Sequence, residues 1–253
     1  MKSGMNSNIY NSICLASYNG ERFIEKQLLS ILNQIEEDDE VIIVDDRSTD
    51  STVSIIKHIQ DPRIKLVINE TNVGVNKSFE KCISLASGKY IFLSDQDDIW
   101  PEGRYQIMIK VLRERSVLCV SGNTKTIDEH DNFIDYHVGS LKSSDEKKYR
   151  KNIMRIFTGH AYYYGCAMAF DNKIKDIILP FPENLESHDL WIAMAANRMH
   201  SNVHLEDTVL FRRIHGKNVS VVSRSLFSKF RSRLIFLSML NLLDKRIKEN
   251  SLG

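Results

Sequence analysis

Short apolar runs that alternate with stretches of helical spacing constrain this chain more than any other feature. The runs cover residues 13–16, 40–44, 64–68 and 90–93. Between the first two, Ile24, Leu28, Ile31, Leu32 and Ile35 recur at helical intervals. Asp50 is a candidate N-cap for a helix carrying Val53, Ile56 and Ile59. A third helix is predicted over 75–86, with Gly88 at its C-cap. Strands alternating with helices of this length predict an α/β fold, doubly wound about a mostly parallel central sheet. In such sheets ligands bind beyond the carboxyl ends of the strands. Three of the four strands end in residues suited to a site: Ser17, Tyr18 and Asn19; Asp45 and Asp46; Asp95, Asp97 and Asp98.

The second half is less regular. Residues 117–121 read as a fifth strand, followed by a charged stretch over 124–135. Residues 140–150 are polar and read as a mobile loop, 165–170 as a strand, and 188–199 as a helix. At 253 residues the chain can form one large domain or a domain with an appendage. The formal net charge of +1 implies no polyanionic partner, so no nucleic acid is expected. The four cysteines have no paired spacing; Cys14 and Cys119 sit in apolar runs and read as reduced core residues, which favours a cytoplasmic location. The first twelve residues lack the apolar stretch of a signal peptide. No apolar run approaches the roughly 20 residues needed to cross a bilayer. A soluble or peripheral protein is expected.

Carboxylates one residue apart past a strand end can face a single hard cation, magnesium or manganese, which takes oxygen ligands and bridges protein to phosphate. In a partly dry cleft Asp95, Asp97 and Asp98 would repel one another unless a metal or raised pKa values relieved them. The bland alternative is a solvated acidic turn. Three chemistries use such loops. A phosphotransfer receiver is much shorter than this chain. A phosphatase of the haloacid-dehalogenase type carries its DxD on the first strand, followed by Gly-Thr or similar, whereas Ile99-Trp100 follows here. A nucleotide-sugar transferase needs an acidic residue for the base, a metal set for the diphosphate and a distant general base, and the chain supplies all three. No glycine-rich dinucleotide or P-loop signature is present.

At these residues the sequence resembles the inverting glycosyltransferases of family 2, which have the GT-A fold. The matching stretches are Ala16-Ser17-Tyr18-Asn19-Gly20, 44–50, Asn72-Val73-Gly74, 86–90 and Leu93-Ser94-Asp95-Gln96-Asp97-Asp98-Ile99-Trp100, in the family's order. The Ser-Asp-Gln-Asp-Asp-Ile-Trp form is similar to the rhamnosyltransferase-like branch of bacterial surface polysaccharide synthesis. So are Gly165-Cys166-Ala167-Met168, His188-Asp189-Leu190-Trp191 and Arg213-Ile214-His215-Gly216-Lys217-Asn218. The resemblance implies a catalytic domain over 1–222, with a nucleotide-sugar half at 8–120, an acceptor half at 121–222, and a helical tail at 223–253. It implies that Ala16, Ser17, Tyr18, Asn19, Asn72, Gly74 and Gln96 line the donor pocket, and that Asp46 accepts from the pyrimidine N3–H. Lys77 stands where the family has a basic residue near the diphosphate. Asp95, Asp97 and His215 become metal ligands for Mn2+ or Mg2+. Asp98, Gly165 and His188 fall on the acceptor side, and Asp189 becomes the general base of a single displacement. Trp100 and Trp191 read first as packing residues, with stacking on an acceptor ring as the alternative. The donor is expected to be a dTDP-rhamnose-like or UDP-hexose sugar, and the acceptor a saccharide, lipid-linked. A nucleotide-sugar-binding or phosphatase-type protein using the same acidic loop is the alternative.

The C-terminal stretch is a local basic feature. Residues 224–249 hold seven Lys or Arg against two acidic residues. Leu226, Phe227, Phe230, Leu234, Leu237 and Leu240 recur at three- and four-residue intervals, with Lys229, Arg231 and Arg233 on other faces. This reads as an amphipathic basic helix at a membrane surface, or one packed on the catalytic domain or a second subunit.

Overall fold

The structure, a computed structural model, describes residues 10–136, 139–216 and 226–251, the side chains of 226–230 and 251 excepted. Lys217, Asn218 and Arg224, and the side chains of Leu226, Phe227, Lys229 and Phe230, therefore lie outside the described residues. The strands are β1 (Asn11–Ser17), β2 (Glu40–Asp45), β3 (Ile64–Ile68), β4 (Tyr90–Asp95), β5 (Cys119–Ile127), β6 (Met168–Asp171) and β7 (Asn202–Arg213). The helices are α1 (Ile24–Leu32), α2 (Thr52–His58), α3 (Val75–Leu85), α4 (Arg104–Glu114), α5 (Tyr149–Thr158), α6 (Lys175–Ile178), α7 (His188–Arg198) and α8 (Leu226–Ser251).

One seven-stranded sheet runs in the order β3-β2-β1-β4-β6-β5-β7. β1 pairs parallel with β2 and β4, and β2 with β3; β6 runs antiparallel between β4 and β5. The expected mostly parallel α/β sheet is therefore observed, with one reversed strand inside it. Burial on both faces explains why the parallel strands read as continuous apolar runs. Alternate side chains serve opposite cores. Ile13, Leu15, Ile43 and Phe92 pack under α1 and α4, whereas Cys14, Ile42, Val44, Ile91 and Leu93 pack under α3 and α7. The register Ser17↔Asp45 and Ala16↔Asp95 aligns three strand ends at one edge. That alignment creates the site.

Several expectations need correction. Residues 140–150 are ordered: a 3-10 turn at Ser143–Asp145 leads into α5, and buried Asp145 pairs with Lys148 at 2.7 Å and Arg155 at 2.6 Å. The fifth strand continues to Ile127, and β7, α4 and α5 are elements the reading omitted. Ala86, not Gly88, caps α3; Gly88 is there because a Cβ would stand 2.4 Å from the Asn11 carbonyl carbon. α8 buries Met239 and Leu243 in the same core as Trp191, and Arg246 donates to the Ile177 and Pro180 carbonyls at 2.9 and 2.8 Å. Of the alternatives for the tail, packing on the catalytic domain is what residues 235–247 do. No helix among the described residues is long and apolar enough to cross a membrane.

Candidate active site

The ends of β1 and β2 build a rigid floor. Ser17 Oγ donates to Asp45 Oδ2 at 2.8 Å, and Asp45 also accepts the Ser48 N–H at 2.8 Å and its hydroxyl at 2.6 Å. Asp46 is buried and accepts from Asn69 Nδ2 at 2.9 Å and from the Val73 and Gly74 N–H groups at 2.9 and 2.7 Å. A carboxylate has about four acceptor positions, so roughly one is left for a ligand. Asp46 thus anchors the loop carrying Asn72, which is itself exposed. Asn19 adopts a left-handed φ of 46° and accepts the Thr49 N–H at 2.8 Å, leaving Tyr18 at the surface, 46% exposed. Gln96 clamps this turn to β4: its Oε1 accepts the Tyr18 N–H at 2.8 Å and its Nε2 donates to the Tyr18 carbonyl at 3.0 Å. Lys77 pairs with Glu80 at 2.7 Å and shares a surface hollow with Leu179 and Pro180.

Beyond β4 the carboxylates converge. Asp95, Asp98 and Cys166 each place one ligand atom within 4.8 Å of the others. Burial above all, then the charges of Asp97 and Asp189, pushes Asp95 up to about 6. Burial and the charges of Asp97 and Asp95 likewise push Asp98 well above the usual carboxylate range. Asp98 Oδ1 accepts the Arg213 N–H at 2.9 Å, while buried Oδ2 has no hydrogen-bond partner among the described residues. An orphaned buried oxygen inside an excess of negative charge fits a divalent cation. Burial and the adjacent carboxylates keep the Cys166 thiol protonated, so the oxygens are the donors and hard Mg2+ or Mn2+ fits.

β7 supplies the other half of this centre. His215 Nε2 lies 2.8 Å from Asp97 Oδ2. Arg213, fully buried over the Phe23 ring, donates through Nε to the Asp97 carbonyl at 2.8 Å and through Nη1 to the Asp128 carbonyl at 2.7 Å. It fixes the acidic loop from behind. Buried Arg104, stacked 4.1 Å from the Trp100 ring, donates to the Leu93 carbonyl at 3.3 Å; burial pushes its guanidinium down to about 9.

Asp189 stands in the first turn of α7. Ser187 caps that helix, accepting from the Leu190 N–H at 3.3 Å, so Asp189 is not the cap. Its Oδ1 lies 2.8 Å from His188 Nε2. Although burial opposes ionisation, the His188 charge and the Gly165 N–H hold the Asp189 carboxyl below its usual range. Its charge helps to raise Asp95, so the start of α7 lies near the end of β4.

Of the residues singled out in the sequence, Asp95, Asp97, Asp98, Gly165, His188, Asp189 and His215 belong to this centre. Trp100 and Trp191 do not reach a ligand: they are 2% and 1% exposed, and Trp191 Nε1 donates to the Ile178 carbonyl at 2.9 Å. Their reading as packing residues is what the structure shows, and the alternative of stacking on an acceptor ring falls. Sequence reasoning assigned no role to Cys166, Arg213 or Arg104. The first two lie inside motif stretches already singled out, which is the signal that was passed over.

Aligned strand ends, an acidic loop and a separate half-buried carboxylate make the arrangement of a nucleotide-sugar transferase. The model of glycosyl transferase family 2 matches residues 12–177, and the chain belongs to that family. It is 31% identical over 119 residues to the UDP-Glc:alpha-D-GlcNAc-diphosphoundecaprenol beta-1,3-glucosyltransferase WfgD of Escherichia coli, covering 47% of each chain. It is 26% identical over 216 residues to the chondroitin synthase of Pasteurella multocida, covering 83% of this chain and 21% of that one. The chain thus spans about half of the first relative and a fifth of the second. Among solved structures, S. aureus TarS 1-349 in complex with UDP-GlcNAc superposes with a TM-score of 0.68 at 20% identity, covering 94% of this chain and 72% of that one. This likeness shows the fold, GT-A-like with α8 appended.

Proposed function

We propose that this chain is an inverting, metal-dependent glycosyltransferase of bacterial surface polysaccharide synthesis. It moves a hexosyl or deoxyhexosyl group from a dTDP- or UDP-linked donor to a saccharide hydroxyl, on a lipid-linked acceptor. The observation that carries this reading is the placement of an ionised carboxylate, Asp189, across from the cation-ready Asp95 and Asp98. The Escherichia coli relative is named for a UDP-glucose donor and a lipid-diphosphate-linked acceptor, which supports the donor and acceptor classes. The fold neighbour PcManGT, solved with GDP-Man and Mn2+, supports the metal.

Tyr18, Asn19, Asp46 and the 69–74 loop would receive the nucleoside, Asp46 offering its remaining acceptor position to the base N3–H. Asp95, Asp97, Asp98 and His215 would hold Mn2+ or Mg2+. When bound, such a cation supplies neutralisation of charge on the leaving diphosphate. Asp189 takes the acceptor hydroxyl proton as that oxygen attacks the anomeric carbon from the face opposite the diphosphate, so configuration inverts. Basic residues on the exposed face of α8, Arg231, Arg233, Lys245 and Lys248, would lie against an anionic membrane that carries the acceptor.

A thermal-shift panel of UDP, dTDP and GDP and their sugars, with and without Mn2+, tests the donor class. Stabilisation by UDP or dTDP only when Mn2+ is present is expected; stabilisation by no nucleotide would sink the reading. Asp189→Asn should then abolish transfer while leaving nucleotide binding intact.

A further inference from the structure

His188 is buried beside Asp189, and every contact it makes fixes its orientation. Asn76, in the first turn of α3, donates through Nδ2 to the Leu185 carbonyl at 2.8 Å, which sets its amide so that Oδ1 faces α7. That oxygen accepts from the His188 N–H at 3.2 Å and lies 3.0 Å from His188 Nδ1. An amide oxygen only accepts, so Nδ1 carries a hydrogen. Phe79 stacks on the imidazole at 4.2 Å between centroids, at 27°. The remaining nitrogen, Nε2, stands 2.8 Å from Asp189 Oδ1. A Cβ on Gly165 would stand 2.9 Å from Asp189 Oδ1 and 3.1 Å from His188 Nε2, so the absent side chain makes room for the pair.

We propose that His188, held by Asn76 and Phe79, is the positioning residue for Asp189: its Nε2–H occupies Oδ1 and leaves Oδ2 as the oxygen that takes the acceptor proton. This rests on the reading of Asp189 as general base. The step balances without a co-reactant. The acceptor O–H bond breaks, its proton passes to Asp189 Oδ2, and the new bond forms from oxygen to the anomeric carbon. The bond to the diphosphate breaks with its electrons on the leaving group. The doubly protonated imidazole also offsets the Asp189 charge before the transfer and weakens its repulsion with Asp95. A general base oriented by a third group through the atom opposite its working face is a recurring arrangement, here run with the carboxylate as base and the imidazole as orienter.

Two isosteric truncations separate this role from a structural one. His188→Gln keeps a donor where Nε2 stands and loses the one facing Asn76; His188→Asn keeps the donor facing Asn76 and loses the one facing Asp189. Crystal structures of both read the Asp189 carboxylate without any substrate: it should stay in place in the Gln variant and rotate in the Asn variant. An unmoved Asp189 in the Asn variant would overturn the inference. In turnover of UDP-glucose or dTDP-rhamnose with Mn2+, His188→Asn should lower kcat on the order of 100-fold with donor KM unchanged, and His188→Gln should recover most of it. Recovery by Asn and not by Gln would assign His188 to anchoring α7 on α3 instead. Should a variant fail to fold, nitrogen-15 spectra of the unaltered protein decide: both His188 nitrogens should be protonated, and a bare Nε2 overturns the proposal. If Asp189→Asn retains turnover, the base reading itself is wrong. If Asp189→Asn is inactive while both His188 variants match the unaltered enzyme, only the present inference fails.

Discussion

His215 Nε2 meets Asp97 Oδ2 at 2.8 Å, joining the end of β7 to the loop after β4 across 118 positions of sequence. The contact forms because Arg213, two residues earlier, is locked to the same loop through the Asp97 carbonyl and the Asp98 carboxylate. The pair is mostly shielded from solvent, at 12% and 18% side-chain exposure. Removing it should cost the metal-free protein about 1 kcal/mol, which for a chain of this size is about 2–4 °C in Tm. The ligand-linked effect should be much larger. Asp97→Ala and His215→Ala are each expected to erase the stabilisation that Mn2+ and a nucleotide diphosphate confer together. Calorimetric titration checks this, and an unaltered Mn2+ requirement in either variant would remove that residue from the metal set.

The carboxylate centre also makes stability depend on pH in a direction opposite to that of a surface ion pair. Burial first, then Asp97 and Asp189, raises Asp95 to about 6, against an ordinary value of about 3.9. Between those two pH values the folded state holds a proton that the unfolded chain has released. Stability of the metal-free protein from this group is therefore full below about pH 4 and lost as pH rises through 6. A cation favours the ionised form and should reverse the slope. Thermal unfolding from pH 4.5 to 7.5 with a chelator and then with Mn2+ should show the two curves diverging as pH rises. Parallel curves would mean that no cation reaches Asp95.

The strand ends were legible because parallel strands buried on both faces leave unbroken apolar runs, and what interrupts them must face the crevice. That logic found Ser17, Asp46 and Asp95 on adjacent strands before any partner was known. It could not see that Asp46 spends most of its acceptor capacity on Asn69, Val73 and Gly74, since hydrogen bonds to backbone leave no pattern in the sequence. α5 buries only Asn152 and Ile156, yet Tyr149, Ile153, Ile156 and Phe157 recur at helical intervals and could have been read. The same holds for α4, where Tyr105, Met108, Ile109 and Leu112 are buried at helical spacing. Trp100 and Trp191 adjoin the acidic loop and Asp189 in sequence, yet both turn into the core, as bulky apolar side chains in this fold tend to. Adjacency in sequence to a candidate site residue says little about which face a side chain takes.

Gln96 lies between Asp95 and Asp97 in sequence, and its side chain is spent on another loop. Its amide forms a reciprocal pair with the Tyr18 backbone, at 2.8 and 3.0 Å, holding the turn after β1 against the acidic loop. Gln96→Ala should leave the acidic loop charged as before while freeing the Tyr18 turn. We expect donor KM to rise about tenfold, the effect of about 1.4 kcal/mol in binding, with kcat little changed. Steady-state kinetics over a donor series gives both numbers. An equal loss in kcat and kcat/KM would show that Gln96 acts in the transition state instead.

The C-terminal helix offers a final separation, between its packed and its open face. Leu243 is fully buried and Met239 nearly so, in the core that also holds Trp191, whereas Leu234 and Leu237 are 54% and 48% exposed. Leu243→Ala should destabilise the fold by about 2–5 kcal/mol, the cost of deleting a buried leucine and leaving a cavity. The double change Leu234→Ser and Leu237→Ser removes no core contact of that kind and should alter stability by less than about 1 kcal/mol. Its effect should appear at a membrane. Urea titration measures the first, and co-sedimentation with vesicles rich in anionic phospholipid the second. If the helix rests on a bilayer beside a lipid-linked acceptor, the double variant sediments less than the unaltered chain while its core remains intact. Equal sedimentation would leave α8 as a buttress of the α6–α7 layer and nothing more.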